Sequence, residues 1–240
     1  MGIPNSQSRT TSFRRSYARW SVKAVGGLVG ALLLASNGWA AVKLPSYNID
    51  LNQSSISGVS AGGYMAGQFH VAYSKIIKGV GILAGGPYNC AQDSLAQATT
   101  QAGGVNGRCM ENPQLLSTAF IQQLYQDAKT LEGQSKVDPL TNMKDDKVVI
   151  VHGSLDITVK PGVGDTIKPW YILAGLPTSN IKEIKGQWGH AHVTDNWGNP
   201  CNFDTEPPWI SNCGIDASGQ ILEFIYGPLN PRTSKTSLSG

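Results

Sequence analysis

The chain has 240 residues, 40% hydrophobic and 15% charged, with a formal net charge of +3. That length supports one domain with its own core. The basic excess does not point to nucleic acid: Arg9, Arg14, Arg15, Arg19 and Lys23 all lie in a first segment without Asp or Glu, and without them 14 basic residues face 16 acidic ones, a net of −2.

That first segment has the three parts of a secretory signal. Met1 to Lys23 is basic, Ala24 to Ala35 is apolar, and Gly38-Trp39-Ala40 offers small residues for a cut after Ala40. The apolar run is short for a bilayer span. An uncleaved anchor is the alternative, and Arg14-Arg15 sits in surroundings that fit a twin-arginine signal poorly. Residues 1–40 are expected to be a cleaved leader, 41–232 a catalytic domain and 233–240 a polar tail. The product is expected to be exported to the periplasm or beyond, with no stable membrane insertion after cleavage.

Leu44 to Leu51 reads as extended and leads into a short strand, Ser54 to Val59. Ala61 to Tyr73 has Met65, Phe69 and Ala72 at helical spacing, and this helix is expected to run on to near Lys78. Gly79 to Ala84 is a short apolar run before Gly85-Gly86-Pro87, which fits a buried parallel strand and its turn. Cys90 to Cys109 is a loop with one helical turn. Pro113 to Leu131 is the best amphipathic helix: Leu116, Phe120, Leu124 and Leu131 lie near one face, and Pro113 fits the first turn. Val148 to Val151 is a second buried strand and Ile181 to Ile184 a last one. Asp165 to Ala174 is helical, with Gly175 as its stop, and Ala217 to Tyr226 is a final helix. Strands alternating with helices predict a parallel α/β sheet.

Export makes an even cysteine count read as disulfides. Of the three pairings open to four cysteines, Cys90 with Cys109 and Cys201 with Cys213 is the simplest. A zinc site is the competitor, but no C-x-x-C occurs.

Gly58-Val59-Ser60-Ala61-Gly62 fits the G-x-S-x-G pattern of a nucleophile elbow, in which a strand turns sharply into a helix with the serine at the tip. The flanking glycines are expected because a Cβ there would collide with neighbouring backbone. A Gly/Ser-rich turn without chemistry is the plain alternative. In parallel sheets, sites form at the carboxyl ends of strands, and two more candidates fall at such ends. Asp156 follows the Val148 to Val151 strand, and His190 follows the Ile181 to Ile184 strand. Ser, Asp and His then come in the chain order of the α/β-hydrolases. A serine hydroxyl needs an imidazole to take its proton, and the imidazole needs an acid to fix its tautomer. Taken singly, Asp156 also fits a cap or turn, His190 a surface loop, and His152 core packing. His192 is a rival base two residues on, and an extended segment would point it away from His190. No acidic cluster stands beside these histidines, so no metal is expected, and no cofactor.

Beyond this motif, long stretches resemble the secreted and periplasmic poly(3-hydroxybutyrate) depolymerases of the α/β-hydrolase superfamily. The resemblance rests on Ile56 to Ala66, on Gln68-Phe69-His70-Val71-Ala72-Tyr73-Ser74, on Gly85 to Ala91, on Gly189-His190-Ala191 with Thr194, and on Ile225 to Pro231. It implies Ser60 as nucleophile, Asp156 as acid and His190 as base. The implied reaction is hydrolysis of 3-hydroxybutyrate polyester or its oligomers, with the N–H of Ala61 as an oxyanion donor. Trp188, Trp197 and Trp209 are candidates to line an apolar substrate cleft. The family is circularly permuted, with its early strands after the last helix, and a segment resembling His-Gly-Cys is expected there to bring the second oxyanion donor. No such segment follows Arg232. The expected fold is thus a parallel-sheet α/β-hydrolase-like core, circularly permuted and incomplete. The alternatives to a polyester esterase are a catalytically impaired polyester-binding remnant and a general short-chain carboxylesterase.

Overall fold

The computed structural model describes residues 45–99, 107–202 and 206–231. Contacts divide the chain into Met1–Tyr47 and Asn48–Gly240, and the described secondary structure lies in the second unit. The expected leader and tail lie outside the described residues.

The main sheet has four parallel strands, β1 (Ser54–Val59), β2 (Ile77–Leu83), β3 (Lys147–Gly153) and β4 (Ile181–Gly186), in that spatial order. The helices are α1 (Ala61–Ala72), α2 (Leu95–Ala98), α3 (Thr118–Gly133), α4 (Pro161–Gly164), α5 (Ile167–Leu173) and α6 (Ala217–Tyr226). β3 shows why its sequence is an unbroken apolar run. Successive side chains of a strand point to opposite faces, and both faces of β3 are covered. Val148 and Ile150 join the cluster formed with Ala66 and Val71 of α1, Ile121 and Leu124 of α3, and Ile167 and Trp170 of α5. Val149 and Val151 join Ile184, Trp188 and the Ala217, Ile221 and Ile225 face of α6. The result is the parallel α/β architecture expected from the alternation of strands and helices.

Two helix boundaries differ from expectation by more than a turn. α1 stops at Ala72 instead of running towards Lys78, because Ile77 and Lys78 are claimed by β2 and Ile77 pairs with Ser54. α3 begins at Thr118, since Ser117 is its cap and its hydroxyl accepts the Phe120 N–H at 3.2 Å. Pro113 opens a separate 3₁₀ turn. α6 matches its expected span: Asp216 accepts the Gly219 N–H at 2.8 Å, and Gly227, at φ 84°, ends it.

A second, small sheet was not anticipated. Its strands β5 (His192–Thr194), β6 (Asn199–Pro200) and β7 (Ile210–Asn212) pair in the order β5-β7-β6. Disulfides join Cys90 to Cys109 and Cys201 to Cys213. Among the described residues no helix is long and apolar enough to cross a membrane.

Candidate active site

Ser60 is the single residue between β1 and α1. It holds φ 56° and ψ −123°, a conformation that costs a residue with a Cβ about 1–3 kcal/mol. Both sides hold it there. The Ser60 N–H donates to the Leu83 carbonyl at 2.9 Å, and the Ser60 carbonyl accepts from the Tyr64 N–H at 3.0 Å. Gly58 has the expected steric need, since a Cβ would stand 2.3 Å from the Gly62 carbonyl group. At Gly62 the expectation fails: a Cβ there meets nothing within 4 Å. The other forced glycine is Gly63, whose Cβ would lie 2.7 Å from the Leu83 oxygen. The turn therefore needs Gly58 and Gly63 for close approach. Ala61 opens α1, where the first N–H groups have no intrahelical acceptor and favour negative charge.

The acid and the imidazole meet in the interior. Asp156 is 2% exposed and His190 6%. His190 Nδ1 stands 2.8 Å from Asp156 Oδ2. With an ionised carboxylate as partner, Nδ1 carries the proton and Nε2 is left as the basic nitrogen. Asp156 Oδ1 also accepts the N–H groups of Thr158 at 2.9 Å and Val159 at 2.8 Å. The turn-forming reading of Asp156 and the acid reading thus describe two oxygens of one carboxylate. Ser60 stands at the same carboxyl rim of the sheet, on the far side of β2 from β3. Among the described residues no hydrogen bond joins its hydroxyl to the His190 ring; such bonds are often long before substrate arrives.

The remaining histidines separate cleanly. His152 is buried at the end of β3, and desolvation lowers its pKa. His192 is taken up by the Ser218 hydroxyl, 3.1 Å from Nε2, and burial lowers its pKa as well. The carboxylate of Asp156 is bonded to His190.

A cleft of about 690 Å³ opens beside the serine. Ser60, Ala61, Tyr64 and Met65 form its floor, and Asn89 to Leu95 with Cys109 and Met110 form its wall. Tyr64 donates its hydroxyl to the Cys109 carbonyl, and burial, then the Asp156 charge, pushes its pKa far up, so it stays a neutral donor. None of the three candidate tryptophans lines this cleft. Trp188 is a core residue, 2% exposed, seated where side chains at Gly153 and Gly186 would be. Trp197 and Trp209 are more than half exposed, beside the small sheet. Tyr64 lies within the elbow run and was open to recognition there. Met110 and Leu95 belong to a loop without periodicity, which gave no signal.

The likeness to known proteins agrees with this geometry. A poly(3-hydroxybutyrate) depolymerase from Delftia acidovorans is 39% identical over 221 residues, covering 90% of this chain and 42% of that protein. Along 90% of its length the chain is thus similar to a member of the poly(3-hydroxybutyrate) depolymerase family. A polyhydroxybutyrate depolymerase from Talaromyces funiculosus is 35% identical over 84% of the chain and 56% of its own length. The crystal structure of the depolymerase from Penicillium funiculosum superposes with a TM-score of 0.67 at 32% identity, over 80% of this chain and 57% of that one. A structure of a serine-to-alanine variant of a PHB depolymerase, complexed with an R3HB trimer, matches equally well. No family model matches the chain. The chain spans about half the length of the curated depolymerases it matches.

Proposed function

We propose that this chain is an exported serine esterase that hydrolyses poly(3-hydroxybutyrate) or its 3-hydroxybutyrate oligomers. The observation that carries the reading is the buried Asp156–His190 pair at the same sheet rim as a serine held in elbow geometry. Ser60 Oγ attacks the ester carbonyl as His190 Nε2 takes its proton. The carbonyl oxygen becomes an oxyanion, and the Ala61 N–H at the start of α1 donates to it. His190 returns the proton to the departing hydroxyl, leaving an acyl-enzyme. A water then loses a proton to His190, attacks the acyl carbon and frees the acid and Ser60. Asp156 holds the imidazole in the tautomer this cycle needs and balances the imidazolium. Met65, Leu95 and Met110 give the cleft an apolar side for the aliphatic chain.

The test is turnover of a soluble 3-hydroxybutyrate trimer, followed by release of free acid, by the wild type and by Ser60→Ala. Removal of the nucleophile is expected to lower kcat by about 10⁶. A Ser60→Ala protein as active as wild type would end the proposal. The second reading is a polyester-binding protein without turnover. Retention on polymer granules with no acid released by either protein would establish that reading. Rates on p-nitrophenyl esters far above those on the trimer would point to a general short-chain carboxylesterase.

A further inference from the structure

His152 has a job that neither the core nor the proton cycle explains. Its Nε2 lies 2.7 Å from the Val159 carbonyl and 3.5 Å from Asp156 Oδ2. A carbonyl only accepts, so Nε2 carries the proton. Val159 in turn gives its own N–H to Asp156 Oδ1 at 2.8 Å. Three residues therefore close a ring: the imidazole holds the Val159 carbonyl, the Val159 amide holds one carboxylate oxygen, and the imidazole N–H faces the other oxygen. The loop that leaves β3 at Gly153 and carries Asp156 is pinned at both ends by this ring.

The other ring nitrogen is just as telling. His152 Nδ1 is buried and has no hydrogen-bond partner among the described residues. It is pressed against Gly164, where an added Cβ would come within 2.2 Å. A proton on Nδ1 would be a buried donor with no acceptor, which is costly. The ring therefore stays a neutral N–H donor. A lysine or arginine in this place would compete with the His190 imidazolium for the carboxylate charge. A neutral donor orients the carboxylate and leaves its charge to His190.

We propose that His152 is the positioning residue of the Asp156–His190 pair: as a neutral imidazole it fixes the carboxylate, through Val159, at the angle from which Oδ2 reaches His190 Nδ1. The consequence for rate rests on the esterase reading above; the positioning itself does not.

The experiment compares His152→Leu, His152→Gln and His152→Asn in two measurements. One is kcat and KM on a soluble ester. The other is the downfield proton resonance expected of His190 Nδ1–H bonded to Asp156, which reads the geometry whether or not the protein turns over. Leucine fills the space without a donor. Glutamine places an amide N–H the same number of bonds from the backbone as Nε2, and asparagine places it one bond short. His152→Leu is expected to lose the resonance and to lower kcat about a hundredfold with KM nearly unchanged, as a misplacement of roughly 1 Å can. His152→Gln is expected to restore the resonance and most of the rate, and His152→Asn to restore neither. A leucine variant that keeps both would overturn the proposal. So would glutamine and asparagine variants with equal defects, a comparison that stands even if the leucine variant fails to melt cooperatively. A wild type with the resonance but no turnover would refute the esterase reading and leave the positioning role intact.

Discussion

Two buried histidine–aspartate pairs flank the same strand. Asp146 stands immediately before β3 and meets His70 of α1, while Asp156 stands three residues beyond it and meets His190. Both pairs are at hydrogen-bond distance, 3.0 and 2.8 Å. The difference is the second ring nitrogen. His70 Nε2 is bound to Asp146 and its Nδ1 lies 3.0 Å from the Tyr171 hydroxyl, so a ring with no exposed surface has both nitrogens spent inside the protein. It ties α1, the start of β3 and α5 together. His190 spends Nδ1 on Asp156, and among the described residues its Nε2 has no partner. The same two residue types make a fastening in one place and a candidate base in the other.

Removing each carboxylate separates the two roles most strongly. Asp156→Asn is expected to leave the fold standing and to reduce kcat by about 10⁴, because the imidazole loses its correct tautomer. Asp146→Ala is expected to keep kcat and to lower stability by about 1–3 kcal/mol, the cost of an unsatisfied buried donor. Ester turnover and urea melts of both variants, taken together, decide it. A large rate loss at Asp146, or none at Asp156, would erase the distinction.

The two disulfides extend the comparison to the loops. Cys90 and Cys109 both lie in the wall of the cleft, whereas Cys201 directly follows β6 and Cys213 directly follows β7 of the small sheet. Replacing either pair by serine is expected to cost about 2–4 kcal/mol. Only the first replacement is expected to raise KM on the trimer, since only that loop lines the space beside Ser60. Equal KM values for the two double variants would show that the wall does not depend on its disulfide.

How much of this was open to reading depends on where the deciding force acts. The elbow was legible because its steric demands fall on neighbours in sequence, Gly58 above all. α6 was legible from end to end because its cap, Asp216, and its stop, Gly227, are both local signals. The start of α3 was not, since Pro113 suits a first helical turn while the cap that opens the helix is Ser117, fixed by the bond from Phe120. The small sheet escaped because strands of two or three residues hold no full period. Trp188 was assigned to a cleft because aromatic residues suit apolar ligands. The contrary signal was the glycines ending β3 and β4, Gly153 and Gly186, which leave room for an indole inside.

The smallest effect separates the carboxyl rim by pH. Burial lowers the pKa of His152 from the ordinary 6.5, so the unfolded chain takes up a proton there before the folded chain does. Stability from this source is complete above the unfolded value and is lost as pH falls from 6.5 through the folded value. The slope cannot exceed about 1.4 kcal/mol per pH unit for one proton. Half-buried His192 shifts in the same direction, with solvent reducing its share. Urea melts between pH 7.5 and 5 are therefore expected to show stability falling on the acid side. The fall is expected to be shallower in His152→Gln, which keeps a donor and cannot titrate. Parallel curves for the two proteins would mean that His152 takes up its proton without unfolding, and the neutral ring that the Asp156 loop leans on would have to be given up.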